Sequence, residues 1–141
     1  HRGVQKRYCA LVTGEPQREA KLEGWLLRDE KTGDARLAPP NAPGVKPASL
    51  SFRLVAQADG LSLLDISLYT GRHHQIRCQL AKMGCPIKGD LKYGFDRSNK
   101  DGGISLHARS AEFIHPVSKE NVRIVAPVPD DNLWKALSVD Q

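Results

Sequence analysis

Nowhere does the chain hold the roughly 18–20 consecutive apolar residues that a membrane span requires, and its start carries no recognisable signal or transit peptide. Cysteine is scarce. Cys9, Cys78 and Cys85 are odd in number and form no C-x-x-C pair, which argues against a disulfide framework and makes the cytoplasm the expected compartment. His73, His74, His107 and His115 are present, but no pair has the short loop spacing of a structural zinc site, so no metal is expected. Ser105 and Ser110 stand on no G-x-S-x-G elbow, which argues against a hydrolase triad. Gly89 is followed by Asp90 rather than by Lys-Ser/Thr, so a phosphate-binding P-loop is missing too. Methionine is nearly absent: Met83 is the only one, and the chain opens on His1, directly before a strand-like segment. The expectation is a fragment or processed product of something longer.

What is present is the composition of an ordinary globular chain. Its 141 residues are 40% hydrophobic and 26% charged, enough for a real core in one domain. Lys and Arg number 21 against 16 Asp and Glu, a net charge of +5 with a pI near 9.3, which favours a polyanionic partner without identifying it. No internal repeat or low-complexity tract interrupts it.

Residues 6–12 (KRYCALV) read as a strand closed by Thr13-Gly14-Glu15-Pro16. Leu22, Trp25, Leu26 and Leu27 indicate a second strand or a short apolar segment, residues 29–34 (DEKTGD) a turn-rich hairpin, and residues 35–38 a segment pairing back. Residues 39–47 carry four prolines, which remove ladder donors, so this stretch is expected to be a surface loop. The clearest hairpin follows: Leu50, Phe52 and Leu54 alternate with polar residues, as do Leu64, Ile66 and Leu68, around the turn Ala58-Asp59-Gly60. Thr70 is the expected N-cap of a helix whose buried stripe is His73, Ile76, Leu80 and Met83, with Gly84 closing it in the left-handed conformation. Residues 85–87 should be extended, 88–90 a turn and 95–103 a polar loop. One strand or two is expected within residues 104–114, another at 121–125, and a short amphipathic helix carrying Trp134 at 130–137. The class is α+β, with a mixed, mainly antiparallel sheet and a few helices.

Arg72, His73, His74, Gln75 and Arg77 crowd the start of that helix. A helix N-terminus already carries partial positive charge, so cations stacked there call for an anion nearby. The order Thr-Gly-Arg-x-His-Gln-Ile-Arg, then Gly-x-Pro-Ile-x-Gly-Asp-x-x-Tyr-Gly, closely resembles the third signature motif of the RluA-type pseudouridine synthases. Residues 6–12 resemble the family's K-x-Y-x-A-x-V strand, and Leu106-His107-Ala108, His115-Pro116 and Ala126-Pro127 its C-terminal strands. The likeness runs from Arg2 to about Leu137.

The resemblance implies a single partial domain over residues 1–141, the C-terminal portion of a catalytic domain that isomerises uridine to pseudouridine in ribosomal or transfer RNA. It implies no cofactor and no metal. Tyr8 matches the tyrosine that stacks on the uracil, and Arg77 the arginine that holds and ionises the catalytic aspartate. Leu106 matches an apolar residue lining the base pocket, and Arg72 and His74 fall to support of the helix start or phosphate contact. Lys88, with Lys82 and Lys92, adds to the expected RNA affinity. The catalytic aspartate belongs to an HRLD motif about thirty residues upstream of the K-x-Y strand. No aspartate of this chain stands in such a motif, and Asp90 reads as a turn residue. The chain alone is therefore expected to be inactive, and to self-associate through an exposed sheet edge. The alternative is a non-catalytic RNA-binding module or pseudoenzyme.

Overall fold

A computed structural model describes residues 4–58, 60–100, 102–114 and 121–125; side chains are described for 6–58, 60–100 and 102–108. The strands are β1 (Val4–Val12), β2 (Glu19–Arg28), β3 (Ala35–Leu37), β4 (Lys46–Ala58), β5 (Leu61–Leu68), β6 (Leu106–Ile114) and β7 (Asn121–Val125). One helix, α1 (Gln75–Lys82), and a 3-10 turn (Leu91–Tyr93) lie between β5 and β6. The strands form one sheet in the order β3-β2-β4-β5-β1-β6-β7, and every described pairing is antiparallel. The expected α+β class with a mainly antiparallel sheet is what the chain adopts.

Period-two patterning sets the two faces of the sheet. Ala10 and Val12 of β1, Leu50 and Phe52 of β4, and Leu64 and Ile66 of β5 share one buried face, on which Ile76 and Leu80 of α1 pack. Cys9 and Leu11 of β1 turn to the other face with Leu63. There the carboxylate of buried Asp65 is bound by Arg7 and by Arg53, the latter at 3.1 Å. After α1, the chain returns to the sheet: Ile87 bridges Val12, and the Lys88 N–H donates to the Leu11 carbonyl at 2.8 Å. This return carries residues 88–93 back beneath the helix.

Three expectations change. Thr70 does not cap the helix. Its hydroxyl donates to Gln75 Oε1 at 2.7 Å and accepts from the Ser49 N–H at 2.9 Å, tying the approach to β4 instead. The residue before the helix is His74, and it makes no side-chain cap. His73 is exposed, because α1 begins only at Gln75, whereas Ile76 and Leu80 are buried as expected. The proline-rich stretch ends two residues early, since β4 starts at Lys46 and Pro47 pairs with Trp25. Pairing of β4 with β5 begins only at Leu50, so the missing proline N–H leaves no ladder bond unmade there. Of the one strand or two expected within residues 104–114, the chain forms one, β6. Gly84 does close the helix, with φ 92°. The helix expected at 130–137 lies outside the described residues.

Candidate active site

Tyr8 stands in the middle of β1, opposite Ile66 on one side and Ala108 on the other. The register of β1 against β6 shifts between Arg7 and Tyr8, a bulge of the kind that re-aims a side chain. Tyr8 is half-buried and packs on the core with Leu106. Leu106 is paired with Ala10, one diagonal step from Tyr8 on the same face, within reach of an aromatic ring. The two residues expected to hold a base are neighbours.

Arg77 projects from α1 onto Asp90. Its Nε donates to Oδ2 and its Nη2 to Oδ1, both at 2.8 Å, a bidentate fork. Asp90 is 1% exposed and the Arg77 side chain 20%. Asp90 is therefore a buried ion-pair partner and not merely a turn residue. Its hydrogen bonds hold the Arg77 guanidinium above its ordinary pKa, against the opposing effect of burial. Arg77 also lies over the Tyr93 ring, 4.9 Å from the centroid.

The third bond of Arg77 fixes the state of its neighbour. Nη1 donates to His74 Nε2 at 3.1 Å, and a guanidinium can only donate, so Nε2 carries a lone pair. The proton of neutral His74 is then on Nδ1, which donates to the Tyr93 hydroxyl at 2.8 Å; that oxygen also accepts from the Ala35 N–H at 2.8 Å. Burial first, and the Arg77 charge second, lower the His74 pKa. His74 is the one described non-glycine residue at positive φ, 55°. A conformation of that kind persists only where surrounding bonds hold it, and here they include a stack on the His73 ring, 3.8 Å between centroids. His73 Nε2 in turn donates to the Gly33 carbonyl at 2.6 Å.

Gln75 organises the entry to the helix. Buried, it accepts at Oε1 from Thr70 and from the Arg72 N–H at 3.1 Å, and donates from Nε2 to the Ser49 carbonyl at 3.1 Å and to Gln79 at 3.0 Å. Arg72 Nε donates to the Pro47 carbonyl at 2.7 Å. Lys88 points within the chain, donating to Asn99 Oδ1 at 2.6 Å, and Asn99 donates on to Ser105 Oγ at 3.2 Å. A Cβ at Gly89 (φ 87°) would sit 2.7 Å from the Asn99 side chain and 2.8 Å from the Gly103 carbonyl, so this turn admits only glycine.

The structure thus sets Tyr8 diagonally across from Leu106, bonds His74 to Arg77, and leaves Arg72 and Lys88 apart. Among the described residues no hydrogen bond, ion pair or ring contact links the Tyr8–Leu106 pair to Arg77. Asp90 and Tyr93 complete the Arg77 cluster. The spacing Gly-Asp-x-x-Tyr was visible in the sequence, but nothing in it said that both side chains turn back onto the helix. No group of metal-ligating side chains occurs among the described residues, and no described helix is long and apolar enough to cross a membrane.

The chain belongs to the RNA pseudouridylate synthase family, whose sequence model matches residues 1–82, and within it to the RluA type. It is 37% identical over 142 residues to ribosomal large subunit pseudouridine synthase C of Vibrio cholerae, covering 96% of this chain and 44% of that protein. The protein of the same name from Escherichia coli O157:H7 is 35% identical over 145 residues, covering 96% and 45%. The chain thus spans less than half the length of these relatives. Among solved structures, human RNA pseudouridylate synthase domain containing 1 superposes with a TM-score of 0.74 at 23% identity, covering 95% of this chain and 58% of that one.

Proposed function

We propose that the whole protein isomerises uridine to pseudouridine in RNA. The relatives' names favour ribosomal over transfer RNA as the substrate. In this reading the target nucleotide leaves its stack, since the reacting atoms are otherwise inaccessible. Tyr8 stacks on the uracil and Leu106 lines the pocket beside it. The C1′–N1 glycosidic bond breaks, the ring turns, C5 bonds to C1′ and loses its proton, and N1 takes one up; the Tyr8 hydroxyl serves in that proton transfer. Arg72 and His74 contribute to the helix entry or to phosphate contact, and Lys88 adds to the RNA affinity.

One observation carries the role of Arg77. A guanidinium has five N–H donors, and Asp90 and His74 occupy three of them. The two that remain suit a second carboxylate, which is what the HRLD aspartate of an RluA-type enzyme would present. No aspartate of this chain stands in that motif, so the 141-residue chain by itself forms no pseudouridine. Incubating it with uridine-labelled ribosomal and transfer RNA tests this, and turnover above a no-protein control would overturn it.

The closed Arg77–Asp90 pair also favours a second reading, a non-catalytic RNA-binding module, since Arg77 needs no outside carboxylate to be neutralised. An HRLD motif in frame upstream in the gene would decide for the enzyme, and its absence for the module.

A further inference from the structure

Beyond these residues, the corner of the sheet where β2 outruns β4 holds an uncompensated group of cations. The last pairing of β2 with β4 is Leu26↔Lys46, so Leu27 and Arg28 extend past it. A cavity of about 240 Å³ opens there. Leu26 and Leu27 form its apolar wall, and Arg28, Lys46, Arg72 and His73 are its charged or titratable lining; no carboxylate lines it. None of the four makes an ion pair among the described residues, and Arg72 uses only Nε, on the Pro47 carbonyl. A second charged recess on the sheet, around Asp65, differs in kind: its carboxylate already binds Arg7 and Arg53.

We propose that this corner cavity binds a backbone phosphate of the RNA, a few nucleotides from the flipped base, with the attached ribose against Leu26 and Leu27. This deepens the RNA reading above and rests on it. Like charges gathered without a counter-charge repel, and a phosphate supplies the acceptor that several such donors share. The cavity is too small for a folded peptide or a helix and admits a single phosphodiester unit. Strands β4 and β5 separate β2 from the Tyr8 strand, a lateral distance of about 14 Å at the usual strand spacing. The contact would therefore hold the strand in register without touching the reacting base, as phosphate contacts do.

The test measures affinity of the 141-residue chain for a short single-stranded RNA by fluorescence anisotropy across a salt series. The variants are Arg28→Gln/Lys46→Gln and, as a control of equal charge loss, Arg18→Gln/Lys31→Gln. Each phosphate contact on a single strand contributes a slope of about 0.7 in log affinity against log salt. The pocket pair should flatten the slope by about 1.4 if both cations contact phosphate, and the control pair should change it far less. Lys46→Gln alone, on an exposed strand start, should give half the change if the double variant folds poorly. Equal flattening in both pairs, or none in the pocket pair, overturns the inference while leaving RNA binding intact. Absence of RNA binding by the parent chain overturns the RNA reading itself. A parallel titration with inorganic phosphate separates the sources: pocket residues that respond to free phosphate but do not alter RNA affinity would assign the site to a free anion and sink the RNA contact.

Discussion

Asp90→Asn should cost the fold about 3 kcal/mol. The substitution leaves a guanidinium that is four-fifths buried facing a neutral amide, and of the two charge-assisted bonds of 2.8 Å it keeps at most the one to the remaining amide oxygen. Breaking a buried pair by deleting one partner costs about 3–5 kcal/mol, because the other charge stays desolvated. The low end applies, since Arg77 is 20% exposed and retains its bond to His74. With a urea slope of about 1.5 kcal/mol/M, the unfolding midpoint should fall by about 2 M. Arg77→Met should cost a similar amount, from the other side of the pair. Arg77→Met/Asp90→Leu should cost much less than the two added together, because neither charge is then stranded. The pair Lys21–Glu23, at 3.7 Å and 58% and 69% exposed, is the comparison, and Glu23→Gln should stay within about 0.5 kcal/mol of the parent. Urea titrations followed by circular dichroism decide it. Single costs below about 1 kcal/mol, or strictly additive ones, would refute the buried-pair reasoning.

Other outcomes follow from the same geometry. His74 is held neutral, its pKa lowered by burial and by Arg77. The unfolded chain gains the proton near pH 6.5 and the folded one does not. The stabilisation is thus whole above that value and declines as pH falls below it, and His74→Asn, which tolerates the left-handed backbone, should flatten urea midpoints measured between pH 7.5 and 5.5. Gly89→Ala forces a Cβ to 2.8 Å from the Gly103 carbonyl at φ 87°, and should destabilise by about 2 kcal/mol in the same assay. Cys9, Cys78 and Cys85 are buried, and burial pushes the thiols of Cys78 and Cys85 up. A thiol-reactive chromophore should label them only after denaturant is added. Light scattering should report species larger than a 141-residue monomer if the sheet ends self-associate, and a monomer at every concentration would remove that proposal.

The strands were legible where one face is core. The alternation of Leu50, Phe52 and Leu54 with polar neighbours leaves one register that turns all three to the core, and β4–β5 adopts it, with Leu50 and Phe52 buried and Leu54 partly so. The motif residues Tyr8 and Leu106 were legible individually, and their adjacency followed only from the β1–β6 register, which local patterning does not carry. His73 and Thr70 were misread for the same reason. A hydrophobic period can be extended by one residue past a helix end, and a hydroxyl before a helix looks like a cap, until Gln75 is seen to hold that approach from within. Asp90 shows the limit most sharply. A Gly-Asp pair reads locally as a turn, and the Asp90 carboxylate is buried only because Ile87 docks on Val12 and swings residues 88–93 under Arg77.

The most direct test of the whole account is single-turnover conversion of uridine, followed by tritium release from 5-tritiated RNA. The protein is this chain joined to an upstream HRLD-bearing segment taken from a relative. The account predicts release by the joined protein and none by the chain alone. It further predicts that Tyr8→Phe in the joined protein binds RNA normally, because the stacking face is unchanged, yet reacts about 10²–10⁴-fold more slowly for want of the hydroxyl. No release from a folded, RNA-binding joined protein, or a Phe variant that turns over at the parent rate, would contradict it.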